Sequence, residues 1–155
     1  YKSPSVFNFY RPGYVLPSSN SSAAGLVAPE LQLMNESSAA GYVNYIRDVI
    51  DTGLGRWGVN GDASRKDVQL SFHRQSSGSL QTAAEDPDAL LDIINTRLMY
   101  GTMPDYLKSD IEAAIASIDT TSPNPSAFQI SDKRLRRLKS ALLLTMASPE
   151  FQIQR

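Results

Sequence analysis

Four stretches of this chain repeat apolar residues at helical spacing. In the first, Ala39, Val43, Ile46 and Ile50 recur at intervals of three and four, which places them on one helix face. Asn35 precedes them, and its side chain can accept an orphan backbone amide. Gly53 and Gly55 follow, and glycine enters left-handed backbone at little cost. The pattern predicts a helix over 36–51. A second, over 87–100, opens on Asp86-Pro87: a capping carboxylate, then proline at the first helical position, where a missing amide costs nothing. Leu90, Leu91, Ile94 and Leu98 form its stripe and Gly101 ends it. A third, over 104–118, turns Leu107, Ile111, Ala114, Ile115 and Ile118 inward. The short link between the second and third predicts a helical hairpin. The fourth, over 132–147 with Ser131 as its cap, carries Leu135, Leu138, Leu142, Thr145 and Met146.

Outside these stripes the pattern changes. Residues 1–34 hold Pro4, Pro12, Pro17 and Pro29, and proline disfavours helix in the residue before it. This arm reads as extended segments and turns. Its Val6, Phe7, Phe9, Tyr10, Tyr14, Leu26 and Val27 are expected to pack on the helical body formed by 35–155. The serine-rich runs 18–22 and 76–79 read as loops. Asn60-Gly61-Asp62 marks a turn, and Val68-Gln69-Leu70-Ser71-Phe72 alternates as a short strand or extended loop would. Residues 119–131 form a Pro/Ser/Thr-rich loop. The expected fold is mainly α: an irregular bundle of about four helices, with an extended proline-rich arm and at most one short strand near 68–72.

Composition narrows the chemistry. A chain of 155 residues buries about 68–70% of the surface its unfolded form exposes, enough for a true core. The net charge of −1 provides no overall field for nucleic acid. With no cysteine, there are no disulfides, thiolate nucleophiles or cysteine-based zinc sites. No apolar run approaches the length of a transmembrane helix. No nucleotide-binding or zinc-protease motif occurs, so no cofactor is expected.

Each remaining candidate has a plain structural reading. His73 is the only histidine, and no Gly-x-Ser-x-Gly elbow accompanies it, so it reads as a loop residue. Asn60-x-Asp62-x-Ser64 starts like a calcium loop. Arg65 then replaces the turn glycine and Ser71 the closing glutamate, which removes two parts the geometry needs. Glu85, Asp86, Asp88 and Asp92 lie at a helix start, where the dipole favours negative charge. Lys133, Arg134, Arg136, Arg137 and Lys139 crowd the fourth helix. Placed near a helix N-terminus they call for an acidic neighbour, and the 85–92 cluster is the natural one. If surfaces do bind, the candidates are the aromatic Phe7, Phe9, Tyr10 and Tyr14 and the basic Arg134, Arg136 and Arg137.

Several segments together resemble a known family. In order they are Ser3-Pro4-Ser5-Val6-Phe7-Asn8-Phe9-Tyr10 with Pro12, Ala24-Gly25-Leu26-Val27-Ala28-Pro29-Glu30, Asn35-Glu36-Ser37, Asp86-Pro87-Asp88-Ala89-Leu90-Leu91-Asp92, Tyr100-Gly101-Thr102-Met103, and Leu142 to Arg155 with its Ala147-Ser148-Pro149-Glu150-Phe151 ending. They are similar to the C-terminal part of the bacterial family catalogued as domain of unknown function eighteen-hundred. The resemblance implies a longer, mostly helical, exported parent, with Tyr1 a cut and Arg155 the natural end. It also implies a periplasmic, cell-surface or extracellular setting, and frequent encoding beside a second exported family that resembles sulfatases. No catalytic residues carry over. The expected role is a non-catalytic structural or protein-interaction module, partnered by another protein or by the rest of its parent. The alternatives are the C-terminal part of a hydrolase-associated extracellular protein, or a module that binds carbohydrate or the envelope surface.

Overall fold

Capping side chains and glycines set the element boundaries. The computed structural model describes residues 10–58, 61, 63–70, 72, 80–118 and 126–152. The elements, in order, are α1 (Asn20–Ala23), a 3-10 turn (Pro29–Leu33), α2 (Glu36–Thr52), β1 (Leu54–Trp57), β2 (Lys66–Val68), α3 (Leu80–Ala83), α4 (Pro87–Leu98), α5 (Asp105–Ala116), α6 (Ala127–Ala147) and α7 (Pro149–Gln152). The fold is mainly α, with one small antiparallel hairpin. His73, Asn60, Asp62, Phe7 and Phe9 lie outside the described residues.

At the start of α2, Asn35 Oδ1 accepts the Ser38 amide at 2.9 Å and the Ser38 hydroxyl accepts the Asn35 amide at 2.8 Å. This reciprocal pair satisfies two orphan donors. The buried stripe is narrower than the sequence pattern implies. Ile46 and Ile50 are buried, but Val43 is 39% exposed, because α2 touches the body mainly along one side, against α6. At α4 the expected cap is in place: Asp86 Oδ1 accepts the Asp88 amide at 3.1 Å, ahead of Pro87.

Two boundaries differ from expectation. The last long helix begins at Ala127, more than a turn before 132. Ser126 accepts the Gln129 amide at 3.3 Å and Gln129 Oε1 accepts the Ser126 amide at 2.9 Å, a second reciprocal cap. Ser131 instead accepts Gln81 Nε2 at 2.7 Å, fastening α6 to α3. The second half of the serine run at 18–22 belongs to α1 rather than to loop. The Ser19 hydroxyl accepts the Ser22 amide at 3.0 Å and donates to Leu16 O at 2.7 Å.

The core is built from α4, α5 and α6. Leu90, Leu91, Ile94, Ile115, Leu138 and Ala141 are essentially without solvent contact, with Met99, Met103 and Ile111 around them. Ala114 belongs to the exposed side of α5, contrary to its place in the expected stripe.

The short strand expected near 68–72 is β2, which ends at Val68 and pairs with β1, so that Leu54 faces Val68 and Trp57 faces Lys66 across a bulge. Two glycines build this hairpin. Gly53 (φ +90°) ends α2, and a β-carbon there would stand 2.2 Å from Val68 O. Gly55 (φ +92°) shapes the bulge, and a β-carbon there would stand 2.1 Å from Asp67 Oδ2. Asp67 Oδ2 accepts the Arg56 amide at 2.8 Å, and Lys66 Nζ donates to Gly53 O at 3.1 Å.

Candidate functional site

The basic run of α6 meets the 85–92 cluster through the Glu85 carboxylate, and its other ion pairs go elsewhere. Arg134 pairs with Glu85 at 2.7 Å, Lys139 with Asp51 at 2.8 Å and Arg136 with Asp132 at 2.9 Å. Arg137 is only 7% exposed. Its guanidinium donates to Ile118 O at 3.0 Å, Glu85 O at 3.0 Å and Ala84 O at 3.4 Å. Those carbonyls lie just past the C-terminal ends of α3 and α5, where the helix dipoles favour a cation. Arg137 is thus turned inward, while Arg136 stays at the surface.

The acidic cluster is used in the same way. Lys108 on α5 bridges Asp88 at 2.7 Å and Asp92 at 2.6 Å on α4. Hydrogen bonds to these two carboxylates hold its ammonium well above the usual lysine range. Among the described residues, no group of three or more His, Cys, Asp or Glu side chains could hold a metal ion.

Tyr10 and Tyr14 are half-buried at the base of the arm. Tyr14 O accepts the Ala28 amide at 2.9 Å, and Arg11 O accepts Gln32 Nε2 at 3.4 Å. These bonds hold the arm against the Pro29–Leu33 turn. That turn walls a groove of about 1870 Å³, whose other sides come from the α4–α5 connection and α7. Leu33, Met34, Leu98, Met99 and Phe151 supply its apolar surface. Tyr42, Tyr100 and Tyr106, with Glu30, Glu150 and Arg97, supply its polar groups. A hollow of about 960 Å³ adjoins it and shares Leu33, Ser38 and Tyr42.

Several contacts fix the groove's shape. The Tyr42 hydroxyl donates to Met146 O at 3.0 Å, and the Tyr106 hydroxyl donates to the Glu150 carboxylate. The link after α4 is a tight turn: the Thr102 amide reaches Met99 O at 2.9 Å across Tyr100 (φ 54°) and Gly101 (φ 79°). Positive φ at both central residues is the type I′ pattern, which favours Asn or Gly in both places. Tyr100 adopts it with its side chain at the surface; the residue is 88% exposed. A bulky residue in this region costs about 1–2 kcal/mol.

The groove was not foreseen from the sequence. Its walls come from residues 23–42, 97–106 and 149–152, three segments that no local pattern connects. Tyr100-Gly101 is the one local signal, because a large aromatic beside a turn glycine is unfavourable unless something requires it.

No family model matches the chain, and none of the curated proteins or solved structures matches it either.

Proposed function

We propose that this chain is a protein-interaction module that docks a polypeptide in the groove between its arm, the α4–α5 turn and α7. The observation that carries the reading is the make-up of that groove. Tyr42, Tyr100, Tyr106, Phe151, Met34, Met99 and Arg97 are the residue types enriched at protein interfaces. At about 1870 Å³ the groove also exceeds the roughly 300–1,000 Å³ typical of small-molecule pockets. As part of the same proposal, the module belongs to an exported bacterial protein of the family catalogued as domain of unknown function eighteen-hundred. The ordered Ser-Pro, Asp-Pro and Tyr-Gly segments support that membership. The docked polypeptide is then an envelope protein, a second copy of this one included, or another part of a longer parent. No described helix is long and apolar enough to cross a membrane.

A photo-crosslinking residue in place of Leu33 tests the reading in cells that make the full parent. It should join the groove to one defined polypeptide segment, while the same residue in place of Arg47 on α2 should not. Equal labelling from both positions would refute groove docking, and a purely cytoplasmic location on fractionation would refute export.

A further inference from the structure

The molecule carries a second exposed apolar surface. On the β1–β2 hairpin, Leu54, Trp57, Val68 and the following Leu70 are all exposed, with Trp57 at 56%. A lone hairpin with this many open apolar side chains is marginal by itself in water. Yet it is firmly built, through the two left-handed glycines and the Asp67–Arg56 and Lys66–Gly53 bonds. Lys66 Nζ lies 5.3 Å from the Trp57 ring centre and steadies it.

The hairpin and the groove are both apolar and carry opposite net charge. Residues 54–70 carry Arg56, Arg65 and Lys66 against Asp62 and Asp67, a net charge of +1. Among the described residues, the groove's lining carries Glu30 and Glu150 against Arg97, a net charge of −1. The two surfaces belong to opposite ends of α2. Ser38 and Tyr42, in its first half, line the groove, and the hairpin follows its last residue. A helix of 17 residues spans about 25 Å, so the hairpin does not reach its own groove.

We infer that the groove takes the β1–β2 hairpin of a second copy of this chain, in a head-to-tail contact. Trp57 and its apolar neighbours enter the groove, and the hairpin's cations meet the rim carboxylates. Tyr100 is the groove's anchor, and the cost of its left-handed backbone is offset by contact with the incoming copy. A contact between two different surfaces repeats, giving rings or open chains of copies. This inference rests on the groove-docking reading and names its occupant.

The two faces can be disabled separately at exposed positions. Trp57→Ser with Leu54→Ser removes the hairpin face. Tyr100→Asn with Glu30→Lys removes the groove face, and asparagine suits the turn. Sedimentation velocity on the full chain should show wild-type mass rising with concentration, and less so as salt is added. Each double variant should weaken association by about tenfold or more. The distinctive result is the equimolar mixture: one intact hairpin and one intact groove should yield a dimer and nothing larger. Circular dichroism confirms that both variants keep their helices. A wild type that stays monomeric throughout overturns the inference, as does a mixture that stays monomeric or a variant that associates normally alone. If the Leu33 crosslink then joins a different polypeptide, only self-docking fails. If it joins none, groove docking fails with it.

Discussion

Replacing Arg137 probes the junction that joins three helices. Its guanidinium serves Ala84 O, Glu85 O and Ile118 O, and among the described residues no carboxylate is paired with it. Arg137→Met keeps the aliphatic stem and removes the donors. The Ala84 contact is buried and the other two are partly buried. An unmet buried carbonyl costs about 1–3 kcal/mol, and a partly buried one regains some of that from water. The expected loss is therefore about 3–4 kcal/mol. In a domain of this size that lowers Tm by about 10 °C. Arg137→Lys should recover part of the loss, because an ammonium donates but lacks the planar fork that spans several carbonyls.

Urea titration followed by circular dichroism gives the free energy, and repeating it across salt concentration isolates the mechanism. Neutral carbonyl partners predict a penalty that salt barely changes. Arg134→Met, which breaks an ion pair with the exposed Glu85, should instead have a small penalty that fades with salt. A stability for Arg137→Met within about 1 kcal/mol of wild type would refute the three-helix clamp.

Other substitutions test separate parts of the fold. The Thr145 hydroxyl is buried with no hydrogen-bond partner among the described residues, so Thr145→Val should raise stability by about 1 kcal/mol in the same titration. Ser126→Ala should cost about 1 kcal/mol and fray the first turn of α6, visible as faster amide exchange near Phe128. Gly55→Ala forces a β-carbon into Asp67 and should disrupt the hairpin, shifting the emission of the sole tryptophan while leaving helical dichroism intact. Lys108 has a folded pKa above its unfolded value, so its bridge contributes fully below about pH 10 and the contribution falls as pH rises further. The stability gap between wild type and Lys108→Gln should therefore be flat from neutral pH to about pH 10 and narrow in stronger alkali.

How much of this was legible depended on how local each signal is. The helix starts at Asn35 and Asp86 were readable because a cap and its amide lie within three residues. The start of α6 was also written locally, in Ser126-x-x-Gln129, but Ser131 offered an equally plausible cap nearer the leucine stripe. Ser131 turned out to receive Gln81 from a segment fifty residues away. Periodicity overstated the buried faces at Val43 and Ala114, because it reports which residues share a side and not how much of that side a neighbour covers. The acidic partner of the basic helix was legible only at Glu85: with α6 starting at Ala127 the run lies mid-helix, beyond the reach of the dipole, and Asp51 and Asp132 take the other pairs.

The surfaces were hidden for a different reason. A groove whose walls come from an arm, a turn and a C-terminal helix has no period or motif, so only the assembled fold exposes it. What the sequence does hold is local disagreement. Tyr100 occupies a backbone position that favours asparagine or glycine, and Trp57 occupies a small hairpin that leaves it open to water. The first costs backbone energy, and the second leaves apolar surface in water beyond what Lys66 covers. Positions where local preference loses in this way mark the surfaces on which the chain answers to something outside its own core. One such residue lines the groove beside the first half of α2, and the other lies on the hairpin that follows that helix. A chain that keeps both has reason to meet its own copy.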